Sequence, residues 1–432
     1  MAKMKRVLLV VDNPHREMRG LVAVWLRLRK KGIFAHIASK KNFNDWYALL
    51  LPDAIVVSRG TAEIKPFLEA KAAETEVVVI PSEHGNGFEQ KVLNNAFGPG
   101  YATKGEKDSA IGLASLLLVG GTNQQRWIAQ AEPSLGDKTH VVGTLSSDHW
   151  FKPKGNAPVG GSVGVCTTFK SLLLSIWDKS VHSVIYAHMS PHYRDNQWRL
   201  GIQDFELHYL ATVFEATDKM LDNGYAVDVR PHPHEYWPGW QQWQKRVGRK
   251  VSINRQVDLA GWIDSKIACI TSFSTTSIDC IARGVPSISL ERLVEEQARR
   301  LPSIKEPLQG DFSWKVSTLD ELMPLLERAR NGELAVSPNL EGAKTFIRDN
   351  FAWPRDASCA ALCADAIARL VNESAKSRRR AARDYLGLPW RVFKILAKDL
   401  RDYFGPRRAN LLFTFSMKMW IDAYRFNRDI TR

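Results

Sequence analysis

Short apolar, β-branched runs alternate with amphipathic stretches along most of the chain, and this alternation limits the fold more than any other feature. In the first 150 residues the strand candidates are Arg6–Val11, Phe34–Ala38, Ala54–Val57, Glu76–Ile80, Leu116–Val119 and His140–Gly143, with helical patterns such as Glu17–Lys31 and Ala62–Ala73 between them. Strands this uniformly apolar are buried on both faces, and intervening helices supply the cover of a parallel sheet. The looser, Gly-bearing Phe151–Gly164 reads as interdomain linker. The alternation then restarts: strands Ser183–Ala187, Tyr225–Val229, Lys250–Ile253, Ile267–Thr271 and Val285–Leu290, helices Ile202–Asn223, Thr275–Arg283, Leu319–Asn331 and about 340–371. The expectation is an α/β protein of two doubly wound domains, residues 1–155 and 179–372, with a linker at 156–178. Two such domains in tandem place a cleft at the carboxyl ends of both sheets.

A hydrophobic content of 44% with 28 Gly and 20 Pro in 432 residues excludes a disordered, collagenous or disulfide-dense chain. Five cysteines without a CxxC pair suit a reducing compartment. The apolar run within Met1–Asp12 is too short for a signal peptide or a membrane span and reads as a first strand. The net charge of +14 is uneven: residues 374–432 carry 15 Lys and Arg against 5 Asp and Glu, leaving the body with 45 against 41.

The absence of GxGxxG after the first strand and of a Walker motif argues against a dinucleotide fold or a P-loop kinase. Three segments carry chemistry instead. Val227-Asp-Val-Arg-Pro-His-Pro-His-Glu235 runs from a strand directly into Arg230, His232, His234 and Glu235. Pro231 and Pro233 stiffen the turn, and an imidazole beside a guanidinium at a sheet's carboxyl end suits a phosphate leaving group. The competing reading is a stiff surface turn. The second segment, Ile270–Pro286, delivers Thr271, Ser272, Ser274, Thr275, Thr276 and Ser277 to a helix start, where hydroxyls and backbone N–H groups can hold an anion. One N-cap needs only one of them. In the third, Pro81-Ser-Glu-His-Gly85, Glu83 follows an apolar strand and can act as acid or base, or as a solvated loop carboxylate.

Weaker candidates for acceptor or cleft contacts are Asp12 and His15 after the first strand, and His188, Ser190 and His192 in His188–Arg194; Glu291, after Leu290, is placed to accept ribose hydroxyls. Gly143–Trp150 reads as hinge or substrate loop. Neither HExxH, a Cys/His framework nor DxD occurs, so no essential metal and no cofactor are expected.

Tandem doubly wound domains, a late His-Pro and a Ser/Thr cluster resemble the Rossmann-like GT-B glycosyltransferases. More narrowly, they resemble bacterial transferases using CMP-activated sugars, the sialyltransferases and Kdo transferases of capsule and lipopolysaccharide assembly. Those carry a D/E-D/E-G, an HP and an S-S/T motif in that order, matched here by Ser82-Glu83-His84-Gly85, His232-Pro233 and Ser274-Thr275. In the first match only Glu83 and Gly85 are kept. The chain is also similar to surface-carbohydrate proteins related to CDP-glycerol glycerophosphotransferases. The resemblance implies that His232 stabilises the departing cytidylate phosphate, that Ser274, Thr275 and Thr276 hold it, and that Glu83 is the base of an inverting reaction. A retaining reaction would need a carboxylate nucleophile instead, and the sequence leaves the stereochemistry open. Arg230, His234, Glu235, Ser272, Ser277 and Glu291 complete the expected nucleotide site.

In the tail, Trp390, Phe393, Leu396, Ala397 and Leu400 recur at helical spacing with Arg391, Lys394, Lys398 and Arg401 on other faces, after Arg378–Arg380 and Arg383. A basic amphipathic helical tail at 373–432 suits an anionic membrane better than nucleic acid; two helices packed on the body are the alternative. The expectation is a cytoplasmic enzyme, peripheral to the bacterial inner membrane, moving a Kdo or sialic-acid-like sugar from a cytidine nucleotide to a lipid-linked surface glycan. Its rivals are a CDP-polyol phosphotransferase, a hydrolase or epimerase of the same architecture, and a non-catalytic membrane-docking partner.

Overall fold

In the computed structural model the residues described are 4–12, 14–40, 42–58, 64–80, 89–98, 101, 110–153, 161–168, 196–232, 235, 237–248, 251–254, 258–272, 274–295 and 312–376. The basic tail from residue 377 and the expected strand Ser183–Ala187 lie outside them.

The first sheet contains β1 (Arg6–Val11), β2 (Phe34–Ser39), β3 (Ala54–Val57), β4 (Glu76–Val79), β5 (Leu116–Val119) and β6 (Thr139–Val141), all parallel, in the order β2-β1-β3-β4-β5-β6. Side chains of a strand alternate between faces, and both faces of β1 are apolar. Val7, Leu9 and Val11 pack on helix Pro14–Lys30, while Leu8 and Val10 join Phe43, Tyr47 and Leu68 on the opposite side.

The second sheet contains β7 (Ser162–Cys166), β8 (Val227–Arg230), β9 (Val251–Ile253), β10 (Lys266–Ile270), β11 (Ser287–Ser289) and β12 (Trp314–Lys315), again parallel, in the order β12-β11-β10-β7-β8-β9. Helix Asn196–Asp222 covers one face through Phe205, Tyr209, Val213 and Met220. These two sheets with their helices are the two tandem Rossmann-like domains of the GT-B fold.

Two differences from the sequence reading bear on the architecture. The central strand β7 falls inside the expected linker, because Ser-Val-Gly-Val-Cys is short and carries Gly164 at its middle. That glycine is required by packing: a Cβ there would lie 2.8 Å from Trp262 Cη2 and 3.0 Å from Cys269 Sγ. The other difference concerns the stretch about 340–371, which is two helices, Leu340–Phe351 and Cys359–Glu373. Ala352 turns left-handed (φ 48°) and Pro354, which has no N–H to donate, follows two residues later, so the first helix ends there. The second helix packs Cys359, Ala360, Cys363, Ala364, Ile367 and Val371 into the core of the first sheet. Accordingly one compact unit joins the chain up to Phe151 with the described residues from Phe346 onward, and the other is continuous from Lys152 to Thr345.

Gly143–Trp150, expected as hinge or substrate loop, seats that returning segment. Arg355 donates to Asp148 Oδ1 (2.8 Å), Ser147 Oγ (3.0 Å) and the Phe351 carbonyl (3.0 Å), and its guanidinium lies over Phe151 and Trp353. Gly143 (φ 84°) leaves room for it, since a Cβ would meet Arg355 Nη1 at 2.6 Å.

Candidate functional site

Within the second unit, strand order reverses between β7 and β10, because chain connections leave these neighbours in opposite directions. A doubly wound sheet opens a crevice outside the carboxyl ends at such a switch point, where ligands bind. The residues delivered there are Thr167 after β7, Arg230 to His232 at the end of β8, Thr271 to Thr276 after β10, and Glu291 after β11.

The His232 turn is tightly anchored. Thr167 N–H donates to the Arg230 carbonyl (3.3 Å), and Glu235 N–H donates to the His232 carbonyl (2.9 Å). Glu235 is only 3% exposed. Its carboxylate accepts from Thr167 Oγ1, which lies 2.9 Å from Oε1 and 2.7 Å from Oε2, and from Trp240 Nε1 (2.8 Å). Buried carboxylates need such donors. His232 itself remains half-buried at the rim.

The hydroxyl run divides into two sets. Ser272 Oγ accepts from Leu290 N–H (2.7 Å), and the Ser272 carbonyl accepts from Tyr209 Oη (3.2 Å). Thr271 Oγ1 pairs with Ser287 Oγ (2.5 Å), and Ser277 Oγ donates to the Ser274 carbonyl (3.0 Å). All three are buried; Thr271 and Ser272 tie strand ends together, while Ser277 closes the first turn of its own helix. Ser274, Thr275 and Thr276 are half-buried, and Ser274 Oγ donates to Thr276 Oγ1 (3.0 Å). The N–H groups of Ser277 and Ile278 donate to the carbonyls of Ser274 and Thr275 (3.2 and 3.0 Å), and that of Thr276 donates to Ser274 Oγ (3.3 Å), so these helix amides are engaged within the turn.

Cys166, at the end of β7, connects the two motifs. Arg230 is its register partner. Burial, then neighbouring Cys269, push the Cys166 thiol upward, while the Arg230 charge and the Thr276 hydroxyl lie close enough to oppose them. Thr167 is not singled out by sequence reasoning, because its strand reads as linker. An apolar Val-x-Val ending in Cys-Thr-Thr was the available signal.

Below the crevice is a buried charged group. Asp228 Oδ2 accepts from Lys266 Nζ (2.7 Å) and Trp262 Nε1 (2.8 Å), and Lys266 also reaches Ser162 and Ser265 (both 3.0 Å). The Arg230 and Lys266 cations stand 5.6 and 5.1 Å from the Trp262 ring centroid. Burial draws Arg230 below the usual guanidinium value, against the pull of Cys166, Asp279, Asp228 and Asp258. Its guanidinium stays charged.

Glu291 heads a short 3₁₀ turn, its N–H 3.2 Å from Ser289 Oγ, and both Glu291 and Glu235 act electrostatically on buried Tyr209. In the first unit, Asp12 directly follows β1 and is paired with Lys40 (3.1 Å), and its N–H donates to Glu17 Oε2 (2.8 Å). Glu83, His188, Ser190, His192 and His234, and the side chain of His15, lie outside the described residues. Among those residues, no helix is long and apolar enough to cross a membrane.

No protein family and no curated protein matches the sequence. Solved structures do match. The wall teichoic acid polymerase TagF is similar over 85% of this chain and 89% of its own, at 10% identity and a TM-score of 0.51. A histidine-to-alanine variant of TagF gives 0.50 at the same identity, over 86% and 90% of the two chains. S. aureus MnaA, solved with UDP, gives 0.47 at 11% identity, over 88% and 100%. At these identities the likeness is one of fold, and the two TagF matches agree with the GT-B architecture seen in the two sheets.

Proposed function

We propose that the protein is a glycosyltransferase of surface-glycan synthesis that takes its sugar from a cytidine nucleotide, with Kdo or a sialic-acid-like sugar as first choice, and needs no metal. One observation supports this reading: at the second sheet's switch point Cys166 has Arg230 as its register partner and the Thr276 hydroxyl close by, with half-buried His232 two residues beyond Arg230 and half-buried Ser274 and Thr275 directly before Thr276. Such a set holds a phosphate with one fixed charge, one switchable charge and neutral donors. Glu291, after β11, is assigned to the ribose hydroxyls. Glu83 is assigned as the base. In an inverting transfer it takes the acceptor's proton as that oxygen attacks the anomeric carbon; the sugar–phosphate bond breaks, and its electrons leave with CMP. His232 and Arg230 stabilise the charge gathering on the departing phosphate. The basic tail would hold the enzyme against an anionic membrane carrying a lipid-linked acceptor.

A second reading is CDP-polyol phosphotransfer, favoured by the fold shared with the teichoic acid polymerase and by the Pro-His-Pro turn. A thermal-shift series with CMP, CDP, UDP, GDP and ADP, free of metal, tests both. Saturation at about 100 times Kd stabilises the folded state by about 2.7 kcal/mol. The sugar-transfer reading expects CMP to shift the midpoint most, and the polyol reading expects CDP. A response to UDP or GDP alone overturns the cytidine assignment, and no response to any nucleotide favours the non-catalytic docking role.

A further inference from the structure

The second unit holds a carboxylate that the sequence reading placed against the nucleotide, yet both of its oxygens are engaged from inside the protein. Thr167 Oγ1 and Trp240 Nε1 donate to Glu235, which is itself almost fully buried. Thr167, 2% exposed, sits one residue past the central strand β7 and carries a β-branched side chain with few accessible rotamers. Its N–H holds the Arg230 carbonyl while its hydroxyl holds Glu235, so one residue fixes the turn both before and after His232. Pro231 fixes its own φ within that span, and the Glu235 N–H closes onto the His232 carbonyl.

We infer that Thr167 and Glu235 are positioning residues, which set the angle at which His232 leaves β8 without themselves touching the bound phosphate. The inference rests on the phosphate reading of the crevice for its functional meaning, although its geometric content stands apart from it. Thr167→Val keeps the side chain's shape and deletes the hydroxyl, leaving the carboxylate with a donor missing. The turn then relaxes around His232, and phosphate affinity falls even though no phosphate contact was removed. Thr167→Ser keeps the hydroxyl and should restore both.

The test uses the full-length protein with ring-¹³C histidine, the His232 resonance being assigned through H232N. T167V is expected to move the His232 ring resonance and the midpoint of its pH titration, and to weaken CMP or CDP binding in calorimetry about tenfold. T167S should match wild type in resonance and stay within about twofold in affinity. A T167V protein with wild-type His232 resonance, midpoint and affinity overturns the inference. If wild type binds no nucleotide, the phosphate reading fails, and the His232 resonance alone still decides the positioning role. Should T167V not fold, W240F removes the second donor to Glu235 while keeping a ring in place, and the same shift is required of it.

Discussion

Asp148 accepts hydrogen bonds from the backbone N–H groups of both Cys359 (2.6 Å) and Ala360 (2.9 Å), capping a helix that begins more than 200 residues later in the chain. The same carboxylate pairs with Arg355, so one half-buried side chain satisfies two helix-start donors and a guanidinium together. Ser358 completes the cap by accepting from Ala361 N–H (3.2 Å).

Asp148→Ala strips the partner from a nearly buried arginine and uncaps the helix. Breaking a buried pair costs about 3–5 kcal/mol. The thermal midpoint of the first unit should fall by many degrees, while Asp148→Glu, which keeps the charge, should fall less. A midpoint unchanged in D148A would show that the cap carries no stability.

His36, in β2, packs its ring 3.7 Å from that of Trp46, and burial holds its pKa at about 4. An unfolded histidine titrates near 6.5. Below that pH the unfolded chain takes up a proton that the folded one refuses, so stability is intact above about pH 6.5 and declines toward pH 4. The full effect is at most about 3 kcal/mol. Thermal midpoints between pH 7 and 4.5 should fall more steeply for wild type than for His36→Gln; parallel curves would refute the assignment.

Lys266 and Asp228 form a buried pair beneath the crevice, with Asp228 Oδ1 lacking a hydrogen-bond partner among the described residues. Lys266→Met leaves that carboxylate charged in an apolar setting and should destabilise by about 3–5 kcal/mol. Lys266→Met combined with Asp228→Asn should recover much of the loss. Urea unfolding of both single variants and the double variant measures the coupling, and simple additivity would mean the charges act independently.

The split of the hydroxyl run predicts two phenotypes from one segment. Ser272→Ala removes the acceptor for Leu290 N–H and should lower stability by about 1–3 kcal/mol, with nucleotide affinity changed little. The Ser274→Ala, Thr276→Ala double variant should instead weaken nucleotide binding at nearly wild-type stability. His232→Ala should abolish turnover in a folded protein. The paired readout is the thermal midpoint with and without CMP or CDP; equal loss of affinity in both serine sets would erase the distinction.

The strands β1, β3 and β5 match the sequence reading residue for residue, because runs such as Arg6–Val11 are apolar on both faces and can be covered only by helices on both sides. β7 escaped because its centre is Gly164, whose role comes from Trp262 and Cys269, residues about 100 positions away. The split of the hydroxyls could not be read from spacing either: Ser272 and Ser274 look alike in sequence, and only the approach of Leu290 and Tyr209 to the first marks it as structural. Placing Arg230 and Thr276 beside one another needed β7 between them, so the missed strand and the missed meeting point at Cys166 are one omission.

The return of helix Cys359–Glu373 to the first sheet bears on how the chain is made. The ribosome delivers β1 to β6 early, but the helix that closes one face of that sheet emerges only after residue 373 is joined. The unit from Lys152 to Thr345 is contiguous and complete sooner. Domains generally fold as units during synthesis, the N-terminal one first; here the first to begin is the last to finish. Throughout translation of the middle of the protein, Val78 of β4 and Leu116 and Leu118 of β5, which share a core with the late helix, wait for its cover, and a nascent chain arrested short of residue 359 exposes that part of the apolar sheet face, suited to a chaperone.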